Sequence, residues 1–119
     1  MSALCLAAGA ATARLAVAVF TLAWTHTVEK VEWREQWRVA GAELVLEEAS
    51  VVGSGAGMEP PPEARLIDGR WTWRPGVRLA EVVLRRAPEA GDWRLCAEGR
   101  CRPLGEIVAG DPVVLSACP

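Results

Sequence analysis

The sequence predicts an all-β fold, a single compact antiparallel β-sandwich or barrel of short strands and hairpins spanning residues 1–119 as one domain. Three observations predict it. Apolar and polar residues alternate with a period of two, and no convincing run of the helical period appears. Strand-like runs recur at spacings of about 8–12 residues, with turn residues between them. Two dipeptides, Asp68-Gly69 and Glu98-Gly99, sit between such runs as tight-turn signals. At 51% hydrophobic and 24% charged residues, the chain has the composition of a globular domain and not of a disordered one. Its 13 basic and 15 acidic residues are scattered, which argues against nucleic acid as a partner, since such a binder carries a basic patch or stripe. Twelve of the basic residues are Arg, and Asn and Tyr are absent, a bias that we read as compositional and not functional.

The apolar N-terminus comes first. A membrane-spanning helix needs about 20 apolar residues. Here Arg14 interrupts an Ala-rich stretch, and an Arg at the centre of a span costs about 2.5–3.5 kcal/mol. A signal peptide places its positive charge before the apolar run and small residues at the cleavage site. In this chain the charge comes late, and Leu15–Trp24 runs into Thr25-His26-Thr27 without an Ala-x-Ala site. The expectation is two short strands, Leu4–Ala8 and Ala13–Val19, turning at Gly9, in a protein that is not an integral membrane protein. An exported form would carry its signal upstream of Met1 or have lost it.

The next hairpin carries most of the tryptophan. Phe20, Leu22, Trp24, His26 and Val28 share one strand face, and Val31, Trp33, Glu35, Trp37 and Val39 share another. If Glu29-Lys30 form the loop, Val28 faces Val31, His26 faces Trp33, Trp24 faces Glu35 and Leu22 faces Trp37. His26 and Glu35 are then diagonal neighbours on an otherwise apolar face, framed by Trp24, Trp33 and Trp37. Burying either alone is costly, so a charge-assisted pair is expected. Two readings of that pair stay open: an amphipathic pocket for a polar ligand or a partner's side chain, or a satisfied polar contact under an ordinary core.

Leu44–Val52 is the third long strand, and it leads into Gly53-Ser54-Gly55-Ala56-Gly57 and Pro60-Pro61-Pro62. No Gly-Lys-Ser/Thr follows, so the glycine run is not a Walker A loop. It is not a dinucleotide fingerprint either, because prolines stand where a helix should start. The nucleophile-elbow pattern fails at Val52. What is left is a run of permissive backbone amides that either turns sharply or wraps an anion. A Ser54–His26–Glu35 triad can be drawn, but no spacing demands it. With one His and no second ligand cluster, neither a catalytic metal nor another cofactor is expected.

Arg65–Ile67 and Arg70–Trp73 flank Asp68-Gly69 as a hairpin, and Leu79–Arg85, Trp93–Ala97, Arg100–Leu104 and Val113–Ser116 complete the strands. A two-residue loop at Glu98-Gly99 sets Cys96 opposite Cys101, about 4.5 Å apart at Cα, at the close end of what a disulfide accepts. A disulfide is expected there; packed thiols and half of a zinc site are the alternatives. Cys5 and Cys118 could pair if the terminal strands adjoin. Cysteine usage leans towards an oxidising compartment, so an extracytoplasmic location is expected.

Several of these segments carry a resemblance. Phe20–Lys30, Trp33–Val39, Gly53–Pro61, Leu66–Trp73, Trp93–Cys96 and Gly99–Leu104 together resemble the domain of unknown function 1850 family, over most of residues 3–105. The segments His26-Thr27-Val28-Glu29-Lys30 and Gly53–Pro60 are its most specific parts. The residues matching its motifs include Trp24, His26, Glu29, Trp33, Glu35, the run from Gly53 to Glu59, Cys96 and Cys101. The resemblance implies a small bacterial protein often encoded beside tripartite ATP-independent periplasmic (TRAP) transporters of the TAXI type. By association it implies a periplasmic or membrane-proximal accessory role with a membrane or solute-receptor subunit of such a transporter. Three functions are therefore expected, in this order. The first is a non-enzymatic accessory or binding module whose site joins Trp24, His26, Glu29, Trp33, Glu35 and Trp37 to Gly53, Ser54, Gly55, Gly57, Met58 and Glu59. The second is a soluble binding protein for a small anionic ligand at the Trp24/His26/Glu35 face, and the third is a hydrolase using His26 and Ser54.

Overall fold

The structure, a computed structural model, describes residues 2–25, 31–52, 60–86 and 92–119. The chain starts as a hairpin, β1 (Ala3–Ala8) and β2 (Ala11–Leu15), turning at Gly9-Ala10. The second strand begins and ends earlier than the predicted Ala13–Val19. Ala16 to Ala18 carry the chain from one sheet to the other, so pairing with β1 stops at Leu15. The long strands β3 (Val19–Thr25), β4 (Glu32–Ala40) and β5 (Glu43–Val52) follow. The hairpin β6 (Arg65–Ile67) and β7 (Arg70–Trp73) falls where the sequence placed it, with Asp68 at φ 50° and Gly69 at φ 79° as a two-residue turn requires.

The predicted strand Leu79–Arg85 is two strands. β8 (Val77–Leu79) pairs with β5, and β9 (Glu81–Leu84) pairs with β12 (Val113–Cys118), so Ala80 marks a change of sheet. The rest of the chain is β10 (Arg94–Ala97), β11 (Arg100–Pro103), one helical turn α1 (Leu104–Ile107), and β12. Two antiparallel sheets result. The smaller has the order β2-β1-β12-β9; the larger has β11-β10-β3-β4-β5-β7-β6, with β8 also on β5. Glu47 is an extra residue on β5, since Gln36 faces Glu48 but Trp37 faces Leu46. That bulge lies where β7 gives way to β8 along the same side of β5.

The β3–β4 register differs from the expected one by two residues. Trp24 lies opposite Trp33, Leu22 opposite Glu35 and Phe20 opposite Trp37. The last described pair is Thr25 with Glu32, a register that a two-residue Glu29-Lys30 loop does not give. A shift of two preserves which side chains share a face, so the inward pattern survived although every partner changed.

The core lies between the sheets as a sandwich. Leu4, Leu6, Leu84, Val113 and Leu115 of the smaller sheet meet Phe20, Leu22, Trp37, Leu44 and Leu95 of the larger, with Leu104 and Val108 closing one end. Both cysteine pairs are disulfides: Cys96–Cys101, with Cα atoms 4.0 Å apart, and Cys5–Cys118, with 5.9 Å. The Cys96↔Cys101 register is the expected one. The terminal strands do adjoin, which settles the open pairing of Cys5 with Cys118.

Candidate functional site

Period-two alternation gives the larger sheet two chemically different faces. Inward go Phe20, Leu22 and Trp24 on β3, and Trp33, Glu35 and Trp37 on β4. Outward go Thr21 and Ala23 on β3, Glu32, Arg34 and Gln36 on β4, Glu48 and Ser50 on β5, Arg70 and Thr72 on β7, and Arg94 and Cys96 on β10. The outward face holds a cavity of about 730 Å³, with Cys101 and the β6–β7 turn at its margin.

A cluster of charge forms its floor. Glu32 accepts from Arg34 Nε at 2.5 Å on one oxygen and from Arg94 Nη2 at 2.6 Å on the other. Arg70 Nη1 approaches the same carboxylate at 3.6 Å. Arg70 is the most enclosed of the three arginines, its side chain 16% exposed. Its Nε donates to Ser50 Oγ at 2.9 Å, and its Nη2 donates to the Glu32 and Ser50 carbonyl oxygens. Burial, and then the neighbouring Arg34 charge, lower the proton affinity of Arg70, while Glu32 works the other way. Three guanidinium groups thus share one carboxylate. Of the other acids on the lining, Glu48 is engaged by Arg74 at 3.8 Å, and Asp68 is exposed in the β6–β7 turn.

The tryptophans are divided differently from the expectation. Trp24 stacks on Trp33 with ring centres 5.9 Å apart, Trp93 tilts against Trp24, and Trp73 meets Trp33 edge-on. Trp37 stands apart from that cluster; it is buried and stacks on Phe20 in the core. Glu35 accepts from Trp37 Nε1 at 3.2 Å, and burial pushes its carboxyl above the usual range against the lesser, opposing effect of that bond. His26, the expected partner of Glu35, lies outside the described residues, as do Glu29, Gly53, Ser54, Gly55, Gly57, Met58 and Glu59. The His26–Glu35 pair and the Ser54 triad therefore fall outside the described structure.

Glu32, Arg34, Arg70 and Arg94 were not singled out from the sequence. The alternation on β4 was visible there, but Arg70 and Arg94 lie on β7 and β10, far along the chain. Only the sheet order brings them to Glu32. Among the described residues, no group of three or more His, Cys, Asp or Glu could hold a metal ion, and no helix is long and apolar enough to cross a membrane.

Fold and site together define an all-β protein of two antiparallel sheets with an arginine-lined groove on the outer face of the larger one. Residues 20–104 match the family described as Domain of unknown function (DUF1850), and the chain belongs to that family. No curated protein and no solved structure matches the chain.

Proposed function

We propose that the protein is a non-enzymatic binding module working outside the cytoplasm, and that its ligand surface is the outer face of the larger sheet. The observation that carries this reading is the groove itself, whose volume of about 730 Å³ is in the range of small-ligand sites. Its floor is built from guanidinium groups, which hold a fixed charge and exchange no protons near neutral pH. Such a floor suits recognition and not acid–base chemistry. The two disulfides favour an oxidising compartment. The family resemblance adds, by association alone, service to a TAXI-type TRAP transporter.

The test is amide-shift mapping on the full, oxidised chain, titrated with neutral sugars, amines, carboxylates and phosphates. Shifts centred on Glu32, Arg70 and Arg94 are expected. Shifts centred on Trp24 and Trp33 would move the site to the tryptophan face. No shift with any compound would remove the small-ligand reading. Cross-linked recovery from membranes tests the transporter link separately: wild type should capture a transporter subunit and Arg94→Gln should not.

A further inference from the structure

We infer that the groove is a seat for a dianionic oxyanion, a dicarboxylate or a phosphate monoester, with Glu32 as the internal anion that holds the arginines in the unliganded protein. This rests on the binding reading above and narrows it to one chemical class. The charge count is the starting point. Among the described residues, Arg34, Arg70 and Arg94 converge on Glu32 alone, so two positive charges in the cluster have no described anion paired with them. The uncompensated charge is not all at the rim. Arg70 is largely enclosed, and its remaining bonds go to the neutral Ser50 hydroxyl and to two backbone carbonyls. Neutral acceptors orient a guanidinium without neutralising it, so its enclosure leaves an energetic cost that an incoming anion would relieve.

The geometry favours oxyanions over other anions. Guanidinium forks match the paired oxygens of carboxylates and phosphates. Ser50 fixes the Nε edge of Arg70, while Thr21, Gln36 and Thr72 add neutral hydrogen-bonding groups to the lining. Glu32 already demonstrates the contact, because each of its two oxygens receives a guanidinium within 2.6 Å. A ligand carboxylate or phosphate would share the same three arginines. Asp68 and Glu48 oppose it from the margin, but Asp68 is exposed to screening solvent and Glu48 has its own partner in Arg74.

Titration calorimetry on the full, oxidised chain with succinate, inorganic phosphate, acetate and glucose tests this. Succinate, phosphate or both should bind more tightly than acetate, and glucose should not bind; which dianion prevails identifies the source. Arg34→Gln, at an exposed position, and Arg94→Gln, at a half-buried one, should each weaken that binding by about tenfold or more. Glu32→Gln should tighten it, because a competing anion has been removed. Arg14→Gln, in a separate hollow lined by Arg14, Arg100 and Arg102, should leave it unchanged. Binding of glucose without the anions would overturn this inference and leave the binding-module reading standing. Anion binding indifferent to Arg34 and Arg94, or lost with Arg14, would overturn it as well. So would weaker binding by Glu32→Gln. Silence from every compound would overturn both.

Discussion

Glu35 and Phe20 show how much one side chain decides here. Glu35 occupies an inward position that its neighbours fill with aromatic and aliphatic groups, and its only described partner is the Trp37 indole. Its carboxyl binds a proton more tightly in the folded state than in the unfolded one, because burial disfavours the charge. Stability must therefore fall as pH rises from the ordinary carboxyl value of 4.5 through the raised one. Glu35→Gln has no proton to lose, and its amide oxygen still accepts from Trp37. Chemical denaturation across about pH 4 to 7 should show wild type losing ground against this variant as pH rises. A constant difference between the two would mean that the carboxyl is not shielded. Phe20 is 2% exposed and stacks on Trp37 between the sheets. Phe20→Ala should cost about 3–5 kcal/mol in urea unfolding, since both the transfer energy and a cavity are lost.

Among the elements, the short hairpins were readable because two residues settle their geometry. The β6–β7 turn needs positive φ at both Asp68 and Gly69, and Asp-Gly is the pair that tolerates it. A methyl group at Gly69 would meet nothing within 4 Å, so a substitution there probes backbone strain alone. Gly69→Ala should cost about 1–2 kcal/mol in thermal or urea unfolding, although no contact is lost. A cost near zero would mean that the turn relaxes to another type. Longer elements were less readable. The stretch around Ala80 looked like one strand because alternation shows only that a segment is extended. Which neighbour it pairs with is invisible, and here the partner changes from β5 to β12. The β3–β4 pairing erred for a related reason: alternation determines face, and a two-residue shift leaves face untouched.

For the molecule as a whole, the termini and the two disulfides decide the scale of stabilisation. Cys5–Cys118 joins β1 to β12 across 113 positions, whereas Cys96–Cys101 closes a turn across 5. In the chain-entropy view, the long closure restricts the unfolded chain by about 4–5 kcal/mol and the short one by about 2 kcal/mol. Replacing Cys5 and Cys118 with Ser should therefore lower the melting temperature more than replacing Cys96 and Cys101. The reverse order would show that the β10–β11 hairpin holds more of the fold than its loop length implies. The β10–β11 bridge also borders the groove, so its loss should disturb anion binding more than stability.

The fold class, most strand positions, the Asp68-Gly69 and Glu98-Gly99 turns and the Cys96–Cys101 pairing followed from the sequence by itself. Each depends on residues within a few positions of one another: the alternation of apolar and polar side chains, or the φ values a dipeptide accepts. The order of strands, the β3–β4 partners, the split at Ala80 and the assembly of Arg34, Arg70 and Arg94 on Glu32 were decided only in the tertiary structure. These depend on which strands lie side by side, and backbone hydrogen bonds between strands are nearly the same for any partner. Packing of the whole core selects the arrangement, and with it the charges that end up together on the outer face.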